Sequence, residues 1–424
     1  MAKRNSTRVN YAKVVAGDNF ISDFLSYMSE QECPYAYDFW AAIYCLSCAV
    51  GRGTFVDRPR APVYLNLFAI FVAESGTTRK STAVREAVRF VRPLTGEDNY
   101  LIEAKITPEN LESVLHKQSK EYGSSQASIA ISELVTFLGR EKYNEQMPTL
   151  LTDLYDCPEL RSGGGTLSSG PRTLKNVFVS FLSASTPAWL LRAVNPDVIE
   201  GGFTTRVCFI VAEEPKQLSA WPKAVDQDAR DRLNARLLSI RERAKSVPSI
   251  LISDGALRTF ERWYKSRTVP RDPFRSSFQS REDAHILRLA AFLCINDDTW
   301  VIQHNHVLSA IKIITQVRED GAAIFEGTGS NSRMVVGIDK IRDKLLAAGM
   351  NGLQQRDLTK AVQPYMNAKY LNIVLDIMHD LGMVQKFETN LGKGRPSTIW
   401  RGLQPLLDSK ALDKIIENSS PRMN

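Results

Sequence analysis

The sequence predicts an α/β protein: a mostly parallel central sheet, helices ahead of it, a helical region behind it, and a separate C-terminal unit of helices and strands. Three observations predict this. Leu67–Val72, Ser128–Ser132, Val177–Ser183 and Val207–Ala212 are mostly apolar runs separated by helix-like stretches, the pattern of strands covered on both faces. Leu67–Val72 runs through a small polar turn into Lys80-Ser-Thr82 at the head of a helix. Met334–Arg401 carries its own helix and strand pattern.

The bulk numbers fit this picture. A chain of 424 residues suffices for two or three domains. Hydrophobic content of 43% and charged content of 24% are ordinary for a globular protein. The net charge of +7 favours an acidic partner such as nucleic acid over a basic one. Six cysteines are scattered, and no second ligand pair answers Cys45-x-x-Cys48, so buried free thiols are expected rather than zinc or disulfides. That implies a reducing compartment, and a cytoplasmic location is expected. No signal-peptide pattern opens the chain, and no apolar run reaches the roughly 20 residues of a membrane span.

Residues 1–16 read as a basic flexible arm, with Lys3, Arg4, Arg8 and Lys13 and no acid. Residues 17–62 read as helices, because Phe20, Phe24, Leu25, Met28, Phe39, Ile43 and Leu46 recur at helical spacing. Residues 63–216 form the sheet core, with helices over Ser81–Val91 and from Thr107-Pro-Glu109, a capped start. Residues 217–320, poor in strand signals, read as a helical lid. Residues 321–332 are a Gly/Ser-rich linker, 333–402 a compact unit, and 403–424 a tail.

The turn after Leu67–Val72 has the layout of a phosphate-binding loop, whose usual pattern is G-x-x-x-x-G-K-[ST]. Glu74 and Arg79 stand at the two glycine positions. Ser75, Gly76, Thr77, Thr78 and Arg79 form the loop. Lys80 reaches the terminal phosphates of ATP, Ser81 holds Mg2+ through its hydroxyl, and Thr82 completes the helix start. Glu133 follows the next long apolar strand and is placed to polarise a water, with Ser132 where an Asp is usual. Ser185 and Thr186 follow another and suit a γ-phosphate sensor. Arg206, ahead of the last strand, is placed for an arginine finger, in cis or across a subunit boundary. Arg281 and Arg288 lie seven residues apart on one helix face, and either reaches the nucleotide from the lid.

The segments Asn66–Thr82, Thr107-Pro-Glu109, Ile131-Ser-Glu133, Leu154–Pro158, Ser185-Thr-Pro187 and Gly201–Arg206 together resemble one family. It is the uncharacterised P-loop ATPase domain found in phage, plasmid and mobile-island proteins, often beside a primase. The resemblance covers residues 20–320. It implies a P-loop NTPase core of RecA/AAA+ type and, by association, a role in replication or as a helicase. Gly201–Arg206 and Arg288-Leu-Ala290 also resemble the arginine finger and lid of MCM-type helicases, which implies a ring, expected to be a hexamer.

Two segments are expected to contact DNA. Arg161–Lys175 is rich in glycine with Arg161, Arg172 and Lys175 and no acid, and reads as a hairpin meeting phosphates. Met334–Arg401 reads as a winged helix-turn-helix. Ala368–Leu381 is its recognition helix, with Lys369 and Asn372 toward a major groove, and Lys393 and Arg395 sit on the wing. The expectation is an ATP-dependent DNA motor or replicative helicase or initiator of a mobile element. It acts on single- or double-stranded DNA as a homo-oligomer, alongside a separate primase or replication factor. The alternative is a slow nucleotide-dependent DNA-binding switch that recruits partners without unwinding.

Overall fold

A computed structural model describes residues 8–138, 146–163, 172–193, 202–212, 214–221, 223–270, 272–325, 330–363, 365–366, 368–389 and 397–403. The chain divides into two compact units, Met1–Ile324 and Phe325–Asn424.

The first unit is an α/β body with a five-stranded parallel sheet. Its strands are β1 (Phe68–Val72), β2 (Tyr100–Ile102), β3 (Ser125–Ile131), β4 (Val177–Ser185) and β5 (Cys208–Val211), in the order β2-β3-β4-β1-β5. Every neighbouring pair is parallel. All five residues of β1 and all nine of β4 are buried, which explains why neither alternates apolar with charged residues: strands with helices on both faces have no solvent side to pattern. Helices α1 (Phe20–Tyr27), α2 (Tyr35–Val50), α3 (Lys80–Val91) and α4 (Pro108–Tyr122) belong to this body. Tyr37 of α2 stacks on Phe71 of β1, ring centroids 4.6 Å apart, and its hydroxyl donates to the Val72 carbonyl at 2.9 Å. Helix α4 starts as its sequence predicts, with the Thr107 hydroxyl accepting from the Asn110 amide and Pro108 in the first turn.

The region read as a separate helical lid departs from expectation. Its helices Gln227–Ser246 and Pro273–Asn296 are present, but Ser249–Ile252 is a strand. It pairs in parallel with Phe55–Val56 and with Val301–Ile302, and Phe55–Val56 pairs antiparallel with Val63–Tyr64. This second, four-stranded sheet ties the region after β5 to the region before β1. Strands of two to four residues are too short for a periodicity to show. The stretch read as a linker begins inside a helix, His304–Phe325.

The second unit is a small helix-and-strand body. Helices Ser330–Ala348, Gln355–Val362 and Ala368–Asp380 pack on an antiparallel sheet of order Leu353–Gln354, Ser397–Gly402, Val384–Thr389. Ile341, Leu345, Leu358, Leu371, Leu375 and Trp400 are core residues. The helix Ala368–Asp380 ends on Gly382 at φ 70°, with Met383 N–H donating to Met378 and Gly382 N–H to His379, a Schellman ending that needs a left-handed residue. Gly352 also has positive φ, and a Cβ there would lie 2.7 Å from the Trp400 carbonyl oxygen.

Candidate functional site

A parallel sheet puts the carboxyl ends of all its strands on one edge, where ligands bind. Here that edge opens a cleft of about 340 Å³, and its lining includes Ser75, Gly76, Arg79, Lys80, Ser81, Ser132, Glu133, Ser185 and Thr186. The loops after β1, β3 and β4, more than a hundred residues apart at the extremes, are brought together because their strands are neighbours or next neighbours. The remaining loop residues of the prediction stand nearby. Thr77 is exposed, its hydroxyl donating to the Glu74 carbonyl at 3.0 Å, Thr78 is buried, and Thr82 N–H closes onto the Arg79 carbonyl at 2.9 Å.

The loop after β1 carries two left-handed positions, one of them on a residue other than glycine. Gly76 has φ 79°, which glycine adopts at no steric cost. The second glycine position of the usual pattern is also left-handed here, but Arg79 occupies it at φ 48°, ψ 37°, as the residue that starts α3. A side chain in that region costs of order 1–2 kcal/mol. The Arg79 side chain is tied down by Glu32, Nε to Oε2 2.6 Å. The Glu32 carboxyl sits below its ordinary range, first because of this bond and then because it accepts from the Ser219 amide.

Lys80 turns back into the loop, its ammonium 2.8 Å from the carbonyl oxygens of both Ala73 and Glu74. An ammonium has three donors, so one stays available to the cleft. Partial burial lowers the Lys80 pKa from its ordinary value. The exposed Ser81 lies in the first turn of α3, where helix N–H groups face an anion. Glu133 is exposed across the cleft on the loop after β3. Thr186 caps the helix Pro187–Ala193 by accepting from Trp189 N–H at 3.3 Å, and the Ser185 hydroxyl donates to the Thr186 carbonyl at 3.2 Å. No group of three or more His, Cys, Asp or Glu suited to a metal occurs among the described residues. A magnesium ion here would rest on the Ser81 hydroxyl, phosphate oxygens and water, which suits a hard cation that keeps its waters.

The expected arginines are not in this cleft. Arg206 directly precedes β5, so it lies at the amino edge, and a strand of four residues, roughly 13 Å, separates it from the phosphate loop. It is buried and donates to Asp156, Nη2 to Oδ2 2.6 Å, and to the Gly202 carbonyl at 3.0 Å. Arg281 shares Asp156, Nη1 to Oδ1 2.9 Å. Arg288 donates to the Tyr64 carbonyl at 2.8 Å and to the Tyr155 hydroxyl at 2.6 Å. None of the three lines the cleft that holds Lys80; the structure groups them instead around Asp156 and Tyr155. The reason is topological: the loop before a parallel strand and the loop after it are on opposite edges. His285, in the same cluster, is buried between the Thr205 carbonyl, 2.9 Å from Nε2, and Cys208. Burial first, then the Arg288 charge, pushes its pKa down to about 3.

The nucleic-acid expectations divide similarly. Leu160–Gly163 and Arg172–Lys175 form the antiparallel hairpin read from the sequence. Arg161, however, donates to Glu112 at 2.7 Å and Asp153 at 3.3 Å, and Arg172 to the Glu109 carbonyl at 2.6 Å. These two arginines moor the hairpin to α4, each only 18% exposed. Lys175 is exposed. In the second unit Lys369 lies in the helix Ala368–Asp380, and Asn372 is on its exposed face, accepting from Gln355. Asp376 and Asp380 share that face. Lys393 and Arg395 lie outside the described residues.

Sequence reasoning assigned no role to Glu32, Asp156 or Tyr155. Each acts through a partner 47 to 133 residues away, and no local pattern marks such a pair. Neither a protein-family model nor a curated protein matches this sequence. No helix among the described residues is long and apolar enough to cross a membrane.

Proposed function

We propose that the first unit is a P-loop ATPase and the second a winged-helix DNA-binding unit, so that the chain is an ATP-dependent DNA motor or replication initiator working as a ring oligomer. One observation carries the ATPase reading: Lys80 and Ser81, Glu133, and Ser185 with Thr186 line one cleft at the carboxyl edge of a parallel sheet. The assignment divides the work of phosphoryl transfer among them. The loop and the α3 N-terminus hold the phosphates, and Lys80 stands at the developing charge. The Glu133 carboxylate orients and deprotonates the attacking water. The Ser81 hydroxyl would hold a Mg2+ ion, which would neutralise charge on the phosphates. The Thr186 edge positions the γ-phosphate against Glu133.

The DNA reading rests on the helix–strand–helix–helix–strand–strand order of the second unit and on its basic sequence. Membership of the mobile-element P-loop family, the hexamer and a separate primase partner belong to the same proposal. A second reading, a slow nucleotide switch that recruits partners, draws support from Ser132 at the usual Asp position and from arginines held at the far edge. The test is ATP turnover by the purified chain with and without single- and double-stranded DNA, followed by strand displacement. DNA-stimulated turnover with displacement supports the motor. Binding with slow, DNA-indifferent turnover supports the switch, and absence of nucleotide binding refutes both.

A further inference from the structure

Resting on the reading of the cleft as a triphosphate site, we propose that Arg79 is a second phosphate-binding cation. Its move from Glu32 to the nucleotide loosens Ser219–Trp221, in the segment that follows β5. Four observations lead there. Arg79 is held in a left-handed conformation that a side chain rarely adopts, at φ 48°. Such strain persists where the surroundings hold it and is common at ligand clamps and switches. The side chain lines the cleft beside Lys80 and is 60% exposed. Only its Nε is bonded, to Glu32, and among the described residues its two Nη groups have no hydrogen-bond partner. A guanidinium with two free forks next to the phosphate lysine is matched to a phosphate.

The fourth observation is what Glu32 does with its other oxygen. While Oε2 accepts from Arg79, Oε1 accepts from the Ser219 amide at 3.2 Å. Ser219 belongs to the stretch that leaves the carboxyl edge after β5. Behind it, Lys216 is anchored in a buried ion pair with Asp38, and Gln217 donates to the Ser29 carbonyl at 2.7 Å. Beyond the anchor, Leu218 is 85% and Trp221 94% exposed. Glu32 therefore joins the phosphate loop to the exposed part of this segment, between the Lys216–Asp38 and Lys223–Glu30 pairs. Arg79 holds the carboxylate in place for Ser219.

An exposed ion pair is weak and a polyphosphate carries several charges, so a phosphate in the cleft outcompetes Glu32 for the guanidinium. Glu32 then loses the partner that orients it, and Ser219 N–H loses a positioned acceptor. Lys216 stays as the hinge because its pair with Asp38 is buried. Occupancy of the cleft is thus read at Ser219–Trp221 with no change in the sheet. Arg79 is a phosphate-binding residue in this account, and Glu32 is a positioning residue.

The test uses the full chain, magnesium and ATPγS. Binding is measured by equilibrium dialysis, and the Ser219 amide is followed by hydrogen exchange. In wild type, saturating ATPγS should speed exchange at Ser219 by about tenfold or more, as expected for an amide that loses its acceptor. In Glu32→Gln the amide should exchange fast from the start, with no further response although nucleotide binds. In Arg79→Gly, which relieves the backbone and so leaves the fold intact, nucleotide should bind several-fold more weakly and Ser219 should not respond. Bound ATPγS with unchanged or slower Ser219 exchange in wild type overturns the proposal and leaves the ATPase reading standing. So does an Arg79→Gly protein that responds like wild type. Absence of ATPγS binding by wild type overturns the reading of the cleft and this proposal with it.

Discussion

The two edges of the central sheet hold similar side chains in opposite states. At the carboxyl edge, Lys80 and Arg79 face a cleft with donors left over. At the amino edge, Arg206, Arg281 and Arg288 are fitted against Asp156, Tyr155 and backbone carbonyls. Both clusters are cationic, and both were candidates for contact with nucleotide. What separates them is that the first pair lines an open cleft, while the second cluster is packed against its acceptors. The first edge opens a cleft, and the second fastens the helix Pro273–Asn296 to the segment before β5.

This contrast can be broken by mutation, and the largest effect should come at the first edge. Lys80→Ala should lower ATP turnover on the order of a thousandfold or more, because the charge it faces builds up in the transition state. The fold should be retained, as judged by an unchanged urea midpoint. Next, Glu133→Gln should lower turnover by roughly a hundredfold to ten-thousandfold while nucleotide still binds, since only the base is lost. A Glu133→Gln enzyme with normal turnover would remove Glu133 from the mechanism.

At the second edge the same kind of change should act on stability. Asp156→Ala leaves the buried Arg206 without its carboxylate. Because Asp156 and Arg281 are partly exposed, the cost should be about 1–3 kcal/mol, not the larger value of a fully buried pair. Denaturant titration measures it, and nucleotide affinity should stay the same. The smallest effect concerns pH. His285 is held neutral, its pKa pushed down to about 3 from 6.5. The unfolded chain binds a proton below pH 6.5 that the folded chain refuses. Stability is therefore fully present above that pH and is lost as pH falls toward 3, by at most about 1.4 kcal/mol per pH unit. His285→Phe, which keeps the stacking on Phe278, should flatten that slope in urea titrations between pH 6.5 and 5.

The sequence made some of this plain and hid the rest for a physical reason. The strands β1, β3, β4 and β5 were legible because burial on both faces leaves mostly apolar runs free of charged residues. The strand-turn-helix that carries Lys80 was legible despite Arg79, because strand, polar turn and Lys-Ser fall within sixteen residues. The cleft followed from topology, as strands in parallel send their following loops to one edge. The edge on which Arg206 sits was legible too, since it precedes its strand, but the partner that holds it was not. Asp156 lies 50 residues away, and Glu32 lies 47 from Arg79. Charge pairs at such separations are set by packing, which leaves no periodicity behind. The short strands Phe55–Val56 and Val301–Ile302 were missed because two residues carry no pattern.

The most direct test of the account is ATP binding by wild type, Lys80→Ala and Arg206→Ala, measured by titration calorimetry with magnesium. The account predicts that wild type binds, that Lys80→Ala loses most of its affinity, and that Arg206→Ala binds as wild type does. Equal loss in the two variants, or no binding by wild type, would contradict the assignment of the carboxyl edge as the nucleotide site.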